Sequence, residues 1–402
     1  MTTAKMHRER IFETIAPLTG TTTLPLSSLL DSPRRLTADV ASPIDVPGFD
    51  NSSMDGYALA AATVHELRGR PVPVRGRVAA GSRGEAVEPG TGVEIMTGAP
   101  LPAGTDMVVK IEDTEPGRFG AETITIVRPA EPRPGTFVRR RGSDVRIGET
   151  VLRAGTMLTP AHLGVAAACG VNDLPVLGLP RVLVVSTGDE IAAEAAAGIN
   201  DANSVTLSAG LRRLGVDTEV ASVPDDPQRL LDRVRDSDAQ LVISTGGISK
   251  GAHEVVKLAA DLDAGSSMTF EPIAMQPGGP QGCGRLADHA WLALPGNPVS
   301  TLISFELFIR PALLGLADHE APREVAHHRL AHGFDEAPPA GKLQVRRARL
   351  TEAGLEFVGD SRSHLLHSYA EATHLVFVSP EDAGTDDPFS AAGDRLMTWK
   401  IA

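Results

Sequence analysis

Three things are scarce in this sequence, and each scarcity excludes a class of protein. Cysteine occurs only at Cys169 and Cys283, so no disulfide framework is available and a reducing compartment is expected. Positive charge is outnumbered: 38 Lys and Arg stand against 51 Asp and Glu, a net charge of −13. The longest basic run is Arg139-Arg140-Arg141, far short of the basic stripe a general nucleic-acid binder carries. Long apolar runs are missing too. No stretch reaches the roughly 20 apolar residues that cross a bilayer. The start, MTTAKMHRERIFETIA, has no apolar core behind its charges, so no signal peptide is expected. Neither nucleic acid nor membrane is an expected partner, and the expected location is the cytoplasm.

Aromatic residues are the fourth scarcity, at 4%, so any core must be built from Ala, Val and Leu. Hydrophobic residues still make up 42%, which excludes wholesale disorder. A chain of 402 residues implies two to four domains at roughly 150 residues each. Its 40 Gly and 30 Pro follow no period, which excludes collagen and predicts many short loops.

The texture changes along the chain. The first 45 residues begin helix-biased, with Ile11, Phe12 and Ile15 on one face. Residues 46–145 alternate short β-rich runs (PVPVRGRVAAG, VEIMTG, DMVVKIE, ETITIVR) with Gly/Pro punctuation, the pattern of a small β domain. Helical texture returns over 146–178, with Thr159-Pro160 as a helix start. The β domain therefore reads as inserted into a discontinuous helical domain made of 1–45 and 146–178. In residues 179–318 the continuous apolar runs VLVVS, LVIST and WLALP each end in a small-residue turn. Such runs belong to strands covered on both faces, hence to a parallel α/β sheet. Residues 319–402 carry LQVRRARL, LEFVG and HLVFVSP and read as a small all-β unit. The expected fold class is multidomain α/β plus β.

Ligands of open α/β sheets bind beyond the carboxyl ends of the strands. Three loops there have unusual composition: Ser186-Thr187-Gly188-Asp189-Glu190, Thr245-Gly246-Gly247-Ile248-Ser249 and Leu294-Pro295-Gly296-Asn297-Pro298-Val299-Ser300. One such loop would be an ordinary βα turn; three in one domain favour a phosphate- or pterin-type ligand. None has P-loop or GxGxxG spacing. Carboxylates follow closely, Asp189 and Glu190 in the first loop and Asp225-Asp226 after TEVASV. Beside a phosphate loop they repel the ligand unless a divalent cation intervenes, and Mg²⁺ takes one or two carboxylates plus substrate phosphates. The competing role is helix capping, which suits Asp225 as well as function does. In the β domain, spacing alone favours Asx turns over function for Asp55 in NSSMDGYA and Asp144 in RGSDV.

Taken together, NSSMDGYA, MTGAPLP-GTD-VV, RxGSDVxxGE, VVSTGDE, NDANS, STGGIS-G and LPGNPVS, in this order, resemble the molybdopterin molybdenumtransferase family (MoeA, and the E domain of gephyrin). The resemblance spans residues 25–380. It implies an elongated architecture of four parts: a discontinuous helical linker domain, an inserted β domain, a molybdopterin-binding α/β domain and a C-terminal β-barrel. It implies a homodimer whose active site is shared between subunits, with Asp55 and Asp144 reaching the cleft from the partner chain. Further implied partners are the molybdopterin adenylyltransferase and the molybdoenzymes. The implied reaction takes adenylylated molybdopterin and molybdate, with Mg²⁺, to molybdenum cofactor and AMP. The family's acidic cluster falls on Asp55, Asp144, Glu190 and Asp226 (Asp225 in the alternate register), and a further family Asp falls on Glu254. That makes Glu190, Asp226 and Glu254 the metal ligands. Substrate binding falls on Ser186, Thr187, Gly188, Thr245, Gly246, Gly247, Ser249, Pro295, Gly296, Asn297, Pro298 and Ser300, with Ser368 near the molybdate.

This chain departs from the family pattern of two lysines before the PGxP turn and a third inside it: these positions hold Pro272, Gln276 and Gly279. A molybdate site needs positive charge or several donors, so Lys250 or an Arg of the tail would have to supply it. The departure keeps a second reading open, a paralogue that carries or scaffolds molybdopterin with weak or no metal insertion. A plain nucleotide-binding regulator is the third reading, and it leaves NSSMDGYA without a purpose. Eight of the twelve histidines lie from His289 onward, but no HxH or HExxH spacing makes them a metal site. Cys169 and Cys283 are expected to pack rather than react.

Overall fold

A computed structural model describes the chain except residues 1, 33, 129–131, 192–197, 249–253, 317–319, 333–338, 380–394 and 402. The described residues form two compact units, Met1–Thr37 together with Pro175–Ala402, and Ala38–Leu174. These boundaries differ from the four expected segments. The α/β region and the tail share one unit, because a single apolar cluster runs through both: Leu292, Ile303 and Phe305 pack in the same core as Val345, Phe377 and Trp399.

The larger unit is built on a six-stranded sheet. Its order is Thr218–Val223, Val182–Thr187, Leu241–Thr245, His289–Leu294, Pro280–Leu286, Thr269–Pro272. The first four strands are parallel, and Pro280–Leu286 runs antiparallel to both of its neighbours, His289–Leu294 and Thr269–Pro272. The sheet is therefore mixed where the sequence predicts a parallel one. The apolar runs divide residue by residue between two faces, as the two-residue period of a strand requires. Val182, Val184, Leu241, Ile243 and Leu292 face one core. Leu183, Val185, Val242, Trp291 and Ala293 face another. Helix Ala202–Arg213 covers the first face through Leu207 and Leu211. Helices Pro227–Arg235 and Val255–Leu262 cover the second through Leu230, Leu231, Val234, Val255 and Val256. From the Val182–Thr187 strand the chain moves outward to Thr218–Val223, then returns to the other side at Leu241–Thr245. That reversal is the switch point at which such sheets open a crevice.

The N-terminal helix Ala4–Ile15 buries Ile11 and Ile15 in the first core. His7 lies edge-on to Phe308 at 4.8 Å, and burial pushes its pKa down to about 4, so it packs as a neutral ring. The tail forms a second six-stranded sheet. Leu343–Thr351 pairs with His374–Val378, with Gly354–Phe357 and, in parallel, with Met275–Gln276 from the α/β region.

The smaller unit holds a third six-stranded sheet, ordered Met107–Lys110, Gly56–Leu59, Gly92–Ile95, Pro71–Val78, Thr123–Ile126, Thr114–Glu115. Tyr57, Leu59, Val72 and Ile124 fill one side, and Ala58, Val78, Val93 and Ile95 the other. The Asp-Gly step of NSSMDGYA has a local cause. A Cβ on Gly56 would sit 2.0 Å from the Val109 carbonyl oxygen, so only glycine lets the two strands pair there.

Candidate functional site

The larger unit contains a cavity of about 1100 Å³ at the carboxyl ends of its parallel strands. Its wall includes the ends of the two strands that flank the switch point: Thr187 and Gly188 after one, Thr245, Gly246 and Gly247 after the other. Pro295, Gly296, Asn297, Pro298 and Ser300 follow the fourth parallel strand into the same wall. The loops brace one another. The Thr187 hydroxyl donates to the Thr245 carbonyl at 3.2 Å, Asn203 Nδ2 donates to the Gly296 carbonyl at 2.8 Å, and the Thr301 hydroxyl donates to the Pro295 carbonyl at 2.7 Å. The structure thus brings together most of the sequence-derived binding residues. Ser186 is fully buried behind them, its hydroxyl 3.3 Å from that of Thr245. Ser249 lies outside the described residues.

Of the adjacent carboxylates it is Asp225, not Asp226, that lines the cavity. Asp226 is the N-cap of helix Pro227–Arg235, accepting from the Gln228 and Arg229 amides at 2.9 and 3.0 Å. The Asp225 amide is in turn held by Asp189 Oδ1 at 3.0 Å. Asp226→Ala is therefore expected to cost about 1 kcal/mol of stability and to leave the kinetic constants unchanged, measured by thermal melting beside steady-state assays. Glu254 joins Asp225 in the wall. The Glu190 side chain lies outside the described part of the structure.

Asp55 and Asp144 belong to the smaller unit and both are exposed. Asp55 Oδ1 accepts from the Thr97 amide at 2.7 Å and from its hydroxyl at 2.9 Å, and the amide bond above all holds its pKa below the ordinary carboxylate value. Asp55 is thus a fixed anion at neutral pH.

Ser368 is not part of the cavity wall; it lies on helix Leu366–Glu371 against Gly359. Besides Ser300, the serines that line the wall are Ser361 and Ser363 of the preceding loop, together with Arg362 and His364. That loop is pinned at several points. The Val299 amide donates to the Ser363 carbonyl at 3.0 Å. Arg347, buried at 1% exposure, donates to the carbonyls of Arg362 and Asp360. Arg362 forms an ion pair with Asp360, and its hydrogen bond to that carboxylate is the main reason the Asp360 pKa falls to about 2.

Sequence reasoning also missed Asp201 and Asn203 as wall residues, although the NDANS motif contains both. It had no signal for Lys342, which reaches the wall through strand pairing of the tail. The cysteines are buried as expected; burial raises the Cys283 pKa, the opposite of what activates a thiolate. Among the described residues no group of three or more His, Cys, Asp or Glu is placed to hold a metal, and no helix is long and apolar enough to cross a membrane.

Residues 2–170 match the family described as "MoeA N-terminal region (domain I and II)", and residues 183–315 match "Probable molybdopterin binding domain". The sequence is 41% identical over 387 residues to the Molybdopterin molybdenumtransferase 2 of Mycobacterium tuberculosis (strain ATCC 25618 / H37Rv), covering 91% of this chain and 92% of that protein. It is 36% identical over 384 residues to the Molybdopterin molybdenumtransferase of Synechococcus elongatus, covering 91% of each. In fold it matches the molybdopterin biosynthesis moeA protein from Pyrococcus horikoshii OT3, with a TM-score of 0.75 over 100% of both chains at 22% identity.

Proposed function

The chain belongs to the molybdopterin molybdenumtransferase family, enzymes of molybdenum cofactor biosynthesis, and from that membership we propose that it joins molybdate to adenylylated molybdopterin and releases AMP. The observation that carries the proposal is the cavity at the switch point. Its volume, about 1100 Å³, accommodates a pterin joined to a nucleotide. Its wall is rich in Gly, Ser and Thr, the residue types that accept a phosphate-bearing ligand at close range.

The roles of individual residues follow from their positions. Thr187, Thr245 and Ser300 offer hydroxyls to the substrate, and the Gly246-Gly247 turn lets it approach the backbone. Asn203 fixes the Pro295–Pro298 loop through the Gly296 carbonyl, which keeps the opposite wall in register. Asp225 and Glu254 are the carboxylates that would hold Mg²⁺. Two carboxylates with substrate phosphates completing the shell are a donor set that suits this ion. Bound there, Mg²⁺ would neutralise pyrophosphate charge during cleavage of the adenylate. Asp55 and Asp144 would act in a homodimer by reaching the cavity of the partner subunit.

The proposed turnover is not a redox reaction. The dithiolene thiols would displace oxygen from molybdate, which leaves as water with their protons, and a second water would hydrolyse the phosphoanhydride to give AMP and the pterin monophosphate. AMP release from adenylylated molybdopterin should therefore require molybdate. Asp225→Asn is expected to lower kcat about tenfold, the scale of removing one charged group beside the phosphates, with only a small change in melting temperature. AMP release that ignores molybdate would sink the reading. Tight pterin binding with no release at all would favour a carrier or scaffold.

A further inference from the structure

Two separate segments of the cavity wall meet, behind it, on one buried side chain. The turn at 277–280 is one segment, with Gly278 in the wall; the helix Pro298–Ser304 is the other, with Ser300 in the wall. Gln281 follows the turn directly, is 2% exposed and does not itself line the cavity. Its Nε2 donates to the Gly278 carbonyl at 2.8 Å and to the Ser304 hydroxyl at 2.7 Å. Gly278 and Ser304 are both buried, so water does not replace that donor if it is lost.

An amide can turn either its NH₂ or its oxygen toward the turn, and only the first orientation serves two acceptors. The group that selects between them is His7, from the N-terminal helix Ala4–Ile15. Burial above all lowers the His7 pKa, and its hydrogen bond with Gln281 works in the opposite sense, as an acceptor facing an imidazole N–H does. Among the described residues, His7 Nε2 and Gln281 Oε1 are both buried and neither bonds to a third group. A neutral imidazole has one N–H. Carried on Nε2, it serves Gln281 Oε1 and leaves Gln281 Nε2 aimed at Gly278 and Ser304. Phe308, with its ring centroid 4.8 Å away and edge-on, keeps the His7 ring from turning aside.

We propose that Gln281 is a positioning residue of this cavity: it locks the 277–280 turn against the Pro298–Ser304 helix, and His7 sets the orientation of its amide. Both act through Gly278 and the helix rather than on the substrate. Gly278 shows how closely the turn is seated. At φ +98°, a Cβ there would meet Met275 Cε at 3.2 Å, Ser304 Oγ at 3.5 Å and Gln281 Nε2 at 3.7 Å. Loosening this seat weakens the binding of ground state and transition state alike, which shows in KM and not in kcat. The effect on KM rests on the proposed reaction; the seating of the turn does not, and it has its own readout.

That readout is amide hydrogen exchange on the full chain. The Ile273 amide donates to the Gly279 carbonyl at 2.6 Å, so it reports on the turn. Gln281→Met keeps the side-chain length and removes both donors. Exchange at 273–282 should speed up about tenfold, the scale of one hydrogen bond, while the Leu241–Thr245 strand stays protected. KM for adenylylated molybdopterin should rise by about the same factor, with kcat little changed. His7→Phe keeps a ring against Phe308 but loses the N–H, and should raise KM about threefold. His7→Gln returns an amide N–H near the place of Nε2 and should recover the native KM. Since both residues work through one contact, the double variant His7→Phe, Gln281→Met should be no worse than Gln281→Met alone. Unaltered exchange at 273–282, faster exchange there with an unchanged KM, or additive effects in the double variant would each overturn the inference. If Gln281→Met does not fold, the His7 pair decides: a native KM in His7→Phe, or no recovery in His7→Gln, overturns it equally. Local loosening in a protein that releases no AMP would leave the seating of the turn standing and defeat the proposed reaction instead.

Discussion

Replacing Glu306 by alanine is expected to cost the larger unit about 3–5 kcal/mol, the penalty for stripping a buried ion cluster of its central charge. Glu306 is 5% exposed and accepts four hydrogen bonds. Arg310 donates from Nε and a terminal nitrogen at 2.8 and 3.0 Å, and Arg323 does the same at 2.9 and 2.9 Å. The residue lies in a π-helical turn, Phe305–Ile309, that continues the helix beginning at Pro298 on the cavity wall. Arg323 precedes the first strand of the tail, Val325–His328. One carboxylate thus ties the helix behind the cavity to the entry of the tail. Without it, Arg310 and Arg323 keep their charge in a place that hydrates them poorly.

The pH dependence of this cluster has a definite sign. Burial alone raises the Glu306 pKa, but the hydrogen bonds and charges of Arg323 and Arg310 outweigh it, and the net shift is downward from 4.5. A carboxylate with a depressed folded pKa contributes stability that is present above its unfolded pKa and lost as pH falls through the folded one. The difference between the native protein and Glu306→Gln should therefore be full near pH 6 and shrink below about pH 4.5. Equilibrium denaturation across that range measures it. A denaturation midpoint that Glu306→Ala leaves in place would mean that desolvation cancels the four hydrogen bonds.

What the sequence made legible was whatever depends on local pattern. The runs VLVVS, LVIST and WLALP were readable as strands because each is covered on both faces, so no polar residue interrupts it. The last two strands of the sheet were not, since Pro280–Leu286 carries Gly282 and Gly284 and Thr269–Pro272 is only four residues long. The stripe of Ile11, Phe12 and Ile15 was visible, but its partner was not. It packs on the α/β core, far away in sequence, and this moves the boundary of the unit to Thr37. The same limit governs the site. The strand-end loops could be found because composition and position are both local. Asp225 and Asp226 could not be separated, because capping and lining are one residue apart and chemically alike. Lys342 and the serines at 361 and 363 enter the cavity wall only through the pairing of Leu343 with Met275 and of the Val299 amide with the Ser363 carbonyl. Long-range register of that kind leaves no trace in spacing.

Gly247→Val is the substitution expected to damage the site most. Gly247 has φ +64° and lines the cavity directly after the Leu241–Thr245 strand. A Cβ there would lie 2.7 Å from Val255 Cγ1, 3.1 Å from the Val256 amide nitrogen and 3.2 Å from Thr187 Oγ1. The left-handed conformation costs a side-chain-bearing residue about 1–2 kcal/mol, and a β-branched one more. The close approaches add a comparable amount, because Val255 and Val256 are core residues of the helix behind the loop and cannot withdraw without opening a void. A total of about 3 kcal/mol, spent by displacing the loop, corresponds to a loss of about a hundredfold in kcat/KM for the pterin substrate. Gly279 supplies the contrast. It lines the same cavity, yet a Cβ there would meet only the Ile273 and Met275 carbonyl oxygens at 3.5 and 3.6 Å, ordinary van der Waals distances. Gly279→Ala should therefore stay close to the native protein in both kcat/KM and melting temperature. Equal effects of the two substitutions would show that the tight turn at Gly247 is not what shapes the substrate site.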